Sequence, residues 1–521
     1  MPDHSNMITP GVYISEVNSF PDRVVNVPTS VPAFIGYTPK ASFDGVSYVQ
    51  KAHKVRSFRE FNEIYGVTDD TLSKVLPNYN LHEVEIEPLD SNYVQIGLAY
   101  YHMTADPNTQ YYCHQCVKMF FDNGGKEAYI IAVGTYGEPS HNDNHIGESS
   151  VNSNVILDEL LSGLIVLREE SEPSMYICPE ATLLSEGENG TLMKAMLMQC
   201  SELQNAISIF DIIGAKYPDP IQYVDAVTTF RENTGTIGLS YGTAYYPFLG
   251  TTLVQNGDVN FNSFFGGDLI ALEAILLMDL GANEKLESVM AEIKEPHSFL
   301  TVAQKHKALR GVSPLYKEIV KLATRMSNLL PPSGAMAGVM ATVDATRGVW
   351  QAPANVSING VQSLSIDLNN EQQADFNIDP LSGKSINVIR NFIGRGVLIW
   401  GARTLDGNSL DWRYISVRRM MIFIEQTCKQ ALSAYIFEPN TKDTWVKAKA
   451  MVENFLESLW RQGALAGSKA QEAFSVRCGL GSTMTNQDIL NGSMVLVIML
   501  APLRPAEFII IRFTQKMAVQ S

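Results

Sequence analysis

Three short patterns in the chain carry residue types that do chemistry. Gly238-Leu239-Ser240-Tyr241-Gly242 places a serine between glycines. At a strand-to-helix turn that arrangement presents a hydroxyl nucleophile, and it would make the chain an α/β hydrolase centred on Ser240. The next residues, Tyr245-Tyr246-Pro247, do not open a helix, and a relay histidine downstream must come from His297 or His306. Gly383-Lys384-Ser385 looks like the end of a phosphate loop, but Ile378 stands where the first glycine belongs. Without that glycine the backbone nest around a phosphate does not form. Cys113-His114-Gln115-Cys116 is a lone C-x-x-C with His102 nearby, and no second pair completes a four-ligand zinc site. Paired carboxylates such as Glu169-Glu170 read as solvated charge. The residues therefore predict no catalytic, cofactor-binding or metal-binding set, and no cofactor.

The elements that would have to position such groups are numerous. The chain has 521 residues, with 39 Lys+Arg against 55 Asp+Glu and a formal charge of -16. That length suits roughly two to four domains. At 45% hydrophobic and 18% charged the composition is globular, and its acidic total argues against nucleic-acid binding. Six cysteines are too sparse for a disulfide scaffold, which points to assembly in a reducing cytosol. The longest apolar stretch, 494–501, ends at Pro502, far short of the roughly 20 residues of a membrane helix, and fits a buried strand. Met1 to Pro10 has neither the basic nor the apolar region of a secretory signal, so neither a targeting segment nor membrane insertion is expected. Residues 1–380 hold 22 Lys+Arg and 45 Asp+Glu; residues 381–521 hold 17 and 10. A basic last quarter on an acidic body suggests surfaces facing different partners.

Local patterns sort the chain further. The first 36 residues read as an arm: a turn at Pro10-Gly11, partial alternation through Val12 to Val17, then prolines at 21, 28 and 32, which exclude a central strand there. Val31 to Tyr37 reads as a short strand. Mixed strand-like and helix-like segments occupy the chain from there to residue 380, including helices at 157–167, 269–280 and 306–329 and surface loops at 141–154 and 185–190. Met421, Ile424, Cys428, Leu432 and Tyr435 share one helix face, and Trp445, Ala448, Val452, Phe455, Leu456 and Leu459 share another. Strand candidates at 474–478, 493–500 and 507–517 close the chain. Such order favours mixed α/β or α+β layering in several domains.

Longer blocks resemble the contractile tail sheath proteins of bacteriophages and related injection systems. Pro10-Gly11-Val12-Tyr13-Ile14 with Glu16 is similar to that family's opening, and Thr29 with Ala33-Phe34-Ile35-Gly36 is similar to the family's next segment. Phe120-Phe121-Asp122-Asn123-Gly124-Gly125, then Tyr129-Ile130-Ile131, matches an F-x-N-G-G approach to a strand; Ala132-Val133 replaces the family's Arg-Val. The strongest block runs through Pro331-Pro332-Ser333-Gly334 and Gly338 to Asp344, Arg347-Gly348-Val349-Trp350 and Ala352-Pro353-Ala354-Asn355. Trp400-Gly401-Ala402-Arg403-Thr404, Phe437-Glu438-Pro439-Asn440 and Pro505-Ala506-Glu507-Phe508 continue it. Residues 40–115 and 140–260 match weakly. Within the strong block, Gly334 and Gly338 read as tight turns or close packing and Trp350 as core filling.

The resemblance implies a structural subunit rather than an enzyme. It implies stacked six-fold rings around an inner tube, contracting to drive the tube through a target envelope. It divides the chain into an N-terminal arm at 1–36, an outer α/β body at 37–380 with room for an inserted surface domain, an inner assembly domain at 381–505 and a C-terminal arm at 506–521. Val12, Tyr13, Ile14, Ser15, Glu16 and Val17, with Phe508, Ile509, Ile510, Ile511, Arg512 and Phe513, would add strands to a neighbouring subunit's sheet. Arg418, Arg419 and Lys447 would face the inner tube. Implied partners are further copies of the chain, the tube protein, baseplate and terminal cap proteins, and sister sheath proteins where a particle has them. Assembly would be cytoplasmic, within a phage tail or a released tail-like particle.

Overall fold

A computed structural model describes residues 24–67, 76–85, 91–140, 144–147, 150–281, 283–377, 379 and 381–507. The fold is mixed α/β and multidomain. Of the described residues, Pro28–Ile422 with 504–507 form one compact unit, and Phe423–Leu503 with 24–27 form a second.

The larger unit is organised by an eight-stranded sheet. In chain order its strands are β1 (Pro32–Thr38), β2 (His53–Val55), β3 (Ala128–Thr135), β4 (Met175–Ile177), β5 (Ile207–Asp211), β6 (Gly242–Tyr246), β7 (Asn387–Phe392) and β8 (Gly396–Ile399). In space they run β8-β7-β6-β5-β4-β1-β3-β2. Neighbours from β3 through to β7 are parallel, and an antiparallel strand closes each side. β1 is buried at every position, as a parallel strand covered on both faces must be. Its Phe34 lies level with Ile130 of β3 and Ile177 of β4. Pro32 is tolerated because it opens the strand, before a ladder donor is needed. The expected arm at 1–36 therefore runs into the middle of a sheet.

Helices α1 (Cys113–Asp122), α2 (Leu157–Leu167), α3 (Glu186–Leu203) and α4 (Ser333–Arg347) pack on this sheet, α1 against α4 and α2 against α3. α3 occupies residues expected as a loop at 185–190. Ser185 accepts from the Glu188 N–H while the Glu188 carboxylate accepts from Ser185, a reciprocal cap that starts the helix. α4 is the glycine-rich block. Methyls added at Gly334 and Gly338 would lie 2.8 Å from Cys116 Cα and 2.5 Å from Phe120 O, so the glycines let two helix backbones touch. Trp350 is only half-buried, against Gly348, and does not fill the core as expected.

A second core within the larger unit joins two distant stretches. The antiparallel strands Tyr79–Val84, Tyr93–Ile96 and Ala99–Ala105 pack with helices Leu269–Leu280, Glu284–Lys294, Val302–Val312 and Pro314–Ser327. The helix expected over 306–329 is broken at Ser313-Pro314, where the Ser313 hydroxyl caps the next helix.

The division between the units falls inside α5 (Ile415–Leu432). The boundary expected at 381 does not coincide with it, because β7 and β8 complete the large sheet. In the smaller unit, α6 (Lys442–Arg461) buries Ala448, Val452, Phe455, Leu456 and Leu459 of the face the spacing predicts, while Trp445 at its start is only half-buried. Gly463, at φ 78°, ends it. β9 (Phe474–Cys478) and β10 (Leu496–Leu500) form an antiparallel ribbon. Among the described residues, no helix is long and apolar enough to cross a membrane.

Candidate assembly surface

The ribbon is a small sheet with open strand edges among the described residues. Val476 sits opposite Ile498, and Arg477 opposite Val497. Alternation puts Phe474, Val476, Ile498 and Leu500 on one face, and Ser475, Arg477, Val497 and Met499 on the other. α6 packs on β9, and Val476 is buried. Val497 and Met499 are 39% and 45% exposed, so the second face meets solvent. Among the described residues neither β9 nor β10 has a second strand neighbour. Along each outer edge, N–H and C=O groups have no strand ladder among the described residues. An isolated two-stranded sheet is marginal in water; here α6 supports one face and the edges stay open.

The expected arm residues, Val12 to Val17 and Phe508 to Phe513, lie outside the described residues. The structure does correct the expected tube contacts. Arg418 stacks on Trp412, its guanidinium carbon 3.6 Å from the ring centre, and donates to Ser240 Oγ at 2.7 Å. Arg419 forks onto Asp344 at 2.9 and 2.5 Å. Both arginines are buried because the first half of α5 has almost no solvent face. Lys447 is exposed on α6 and pairs with Asp443 one turn away at 2.8 Å. Of the family block, Pro331, Pro332 and Ser333 start α4, with the Ser333 N–H donating to Asp211 at 2.9 Å and its hydroxyl at 2.5 Å.

The chemical patterns resolve into structure. Ser240 lies in a short 3-10 turn and meets the Arg418 guanidinium, while His306 meets the Tyr316 hydroxyl in the second core. Lys384 donates to the Arg231 carbonyl and Ser385 to the Asn377 carbonyl, so the phosphate-loop remnant is tied to its own chain. Cys113 and Cys116 are buried in the first turn of α1, and burial pushes both thiols up.

One cluster was not anticipated. Glu180 lies just past β4, and its Oε1 accepts from the N–H groups of Tyr112 and Cys113 at the start of α1 (3.2 and 2.8 Å). Asp211 ends β5 and caps α4 in the same way. Burial pushes both carboxyls up to about 7. Lys216, also buried, donates to Gln110 Oε1 and Tyr112 Oη, and burial pushes it down to about 7. The carboxylates join the two glycine-linked helices to the strand ends beneath them. Only the Ser333 spacing ahead of the glycines hinted at a capped helix there; Glu180 and Lys216 carry no sequence pattern.

Models of the phage tail sheath protein central domain and the phage tail sheath C-terminal domain match residues 262–405 and 408–516. The chain belongs to the contractile tail sheath family. Tail sheath proteins of Vibrio phage KVP40 and Burkholderia phage BcepMu are each 26% identical to it, over 26% and 29% of this chain. The matched stretches span only 20% and 33% of those two sheath proteins. Among solved structures, the helical sheath of the anti-feeding prophage in its contracted state is 26% identical, with a TM-score of 0.58 over 97% of this chain and 99% of that one. The sheath complex of an extracellular contractile injection system (PVC), also contracted, shares the fold at 24% identity, with a TM-score of 0.57 over 98% of each chain.

Proposed function

We propose that this protein is the structural subunit of a contractile tail sheath. It polymerises as stacked six-fold rings around an inner tube and contracts to drive that tube through a target envelope. The observation that carries this reading is the open-edged ribbon β9–β10. An extended segment from a neighbouring copy supplies the partner those edges lack. About five to six main-chain bonds per arm, each about 0.5–1.5 kcal/mol net, make a firm but reversible link. Repeated around a ring, such links act through high effective concentration. Val12 to Val17 and Phe508 to Phe513 are the segments proposed to cross between subunits.

Contraction needs no nucleotide in this scheme. Its work comes from new contacts between rigid bodies as they rotate and slide while the arms hold the mesh. The basic last quarter of the chain faces the tube lumen and the acidic body faces outward. Lys447 remains a candidate for that inner surface; Arg418 and Arg419, being buried, are withdrawn. The tube protein, baseplate and cap proteins are the proposed partners, with assembly in the cytoplasm and function in a phage tail or tail-like particle. Negative-stain microscopy of the full chain and of a variant lacking residues 1–23 and 508–521 tests the reading. Cylinders from the first and dispersed subunits from the second are expected. Normal cylinders from the truncated chain would end it.

A further inference from the structure

Two ion pairs in the larger unit, one buried and one partly exposed, hold the chain close to its two ends. Asp344 of α4 takes both forks of Arg419, and the two side chains are 5% and 3% exposed. The same pair grips the backbone at Thr29. The Thr29 hydroxyl donates to Asp344 Oδ2 at 2.6 Å, and Arg419 Nη2 donates to the Thr29 carbonyl at 2.9 Å. Ser174, just before β4, adds a hydroxyl bond to that carbonyl at 2.8 Å and accepts the Val31 N–H at 3.1 Å. The chain is thus fixed from several directions immediately before β1.

At the other end Arg403 forks onto Glu507, Nε to Oε1 at 2.9 Å and Nη2 to Oε2 at 2.5 Å, with side chains 3% and 20% exposed. Arg403 is itself tied to the sheet. Its N–H donates to Asn387 Oδ1 at 2.8 Å, and its carbonyl accepts from Asn387 Nδ2 at 2.8 Å and from Thr243 Oγ1 at 3.1 Å. Asn387 belongs to β7 and Thr243 to β6.

Stability alone does not explain such pairs, since well-packed apolar side chains usually hold a core as well as a buried ion pair does. A two-pronged guanidinium–carboxylate contact differs in fixing position and angle together. Buried contacts are also screened little by salt. We propose that Asp344–Arg419 and Arg403–Glu507 are traction points, which carry pull on the two chain ends into the central sheet so that linked subunits move as rigid bodies. This rests on the sheath reading above; the four residues are positioning residues within it.

The test uses the full chain with Asp344→Asn, with Glu507→Gln, and with both charges of a pair removed (Arg403→Met with Glu507→Gln). The double variant avoids a stranded buried charge and keeps a folded protein available. In the unassembled protein, amide exchange at 24–31 for the first pair, or 504–507 for the second, should rise about tenfold or more, with β1 to β7 unchanged. Cylinders should become several-fold shorter in micrographs. Unchanged exchange in the double variant, or raised exchange with cylinders of normal length, overturns the proposal. Wild-type protein that forms no cylinders removes the sheath reading itself, and traction with it, whatever the exchange shows.

Discussion

The eight-stranded sheet and the two-stranded ribbon both use apolar strands, yet they treat their edges in opposite ways. On one side of the large sheet, β2 is short and carries Lys54, paired to Glu127 and Glu172 at 3.0 and 2.6 Å. A charged, short edge strand discourages further pairing. On the other side, Ile399 of β8 exchanges bonds with the 355–356 segment, its N–H donating to Val356 and its carbonyl accepting from Asn355. On the ribbon Arg477 stands exposed on β9, and backbone pairing by a neighbouring segment is confined to one end, where the Ala466 N–H donates to the Ala501 carbonyl just past β10. β1 is buried throughout, whereas β10 alternates half-buried and exposed positions. A sheet that covers its edges folds to completion alone. A ribbon that leaves them bare can accept an extended segment, the role proposed for it above.

The contrast is broken most directly by one substitution made in each place. Ile131 of β3 is fully buried. Ile131→Asp puts an unpaired charge between two packed faces and should cost more than about 4 kcal/mol, leaving no cooperative transition in a urea titration. Gly334→Ala comes next. Its methyl would sit 2.8 Å from Cys116 Cα, and helix backbones move less readily than side-chain tips. A loss of about 2–3 kcal/mol is expected, read as a lower urea midpoint with unchanged slope.

A pH series sharpens the same comparison, because the buried titrating cluster sits under the large sheet. The Asp211 carboxyl is pushed from 3.8 up to about 7. The folded chain keeps a proton there that the unfolded chain releases at lower pH. The resulting stabilisation is complete below about pH 4 and is lost as pH rises through 7. Asp211→Asn removes this dependence, since the amide oxygen still accepts from Ser333. Between pH 5 and 8 the variant should lose about 1–3 kcal/mol less stability than wild type. Glu180 keeps its own contribution of the same sign. Lys216 acts oppositely: the folded chain lacks a proton that the unfolded chain holds above pH 7, so stability recovers from there towards pH 10.

How much was legible in the sequence depends on range. The α6 face, the strand at 31–37 and the 157–167 helix depend on neighbours a few residues away, and each forms. Gly334 and Gly338 read equally as tight turns or close packing, and the second holds because both lie inside α4 against the backbone of α1. The buried fates of Arg418 and Arg419 were not. Their partners, Ser240, Trp412 and Asp344, come from separate elements, and a basic pair on a helix ordinarily faces water. The second core was hidden for the same reason, since its strands near residue 100 meet helices near residue 300. Ser185–Gly190 was misread on composition although its Ser-x-x-Glu spacing marks a helix start.

The smallest expected effect is the most discriminating. Met499 lies on the outer face of β10, opposite Ser475 and diagonal to Arg477. Met499→Asp leaves the new carboxylate in solvent, so the subunit's own stability should change by about 1 kcal/mol or less. An incoming strand changes that balance. It would stand beside β9 or β10 and set its own outward side chains against those already on that face. Cross-strand neighbours of this kind contribute about 0.2–1 kcal/mol each. Lost once, that is barely measurable; lost at every link of a cylinder, it lowers the yield of long assemblies. The expected pattern is an unchanged melting curve for the dispersed subunit and fewer, shorter cylinders by microscopy. A variant that melts early would show the outer face already packed within the subunit. That result would turn the ribbon from an acceptor into a finished element like the large sheet.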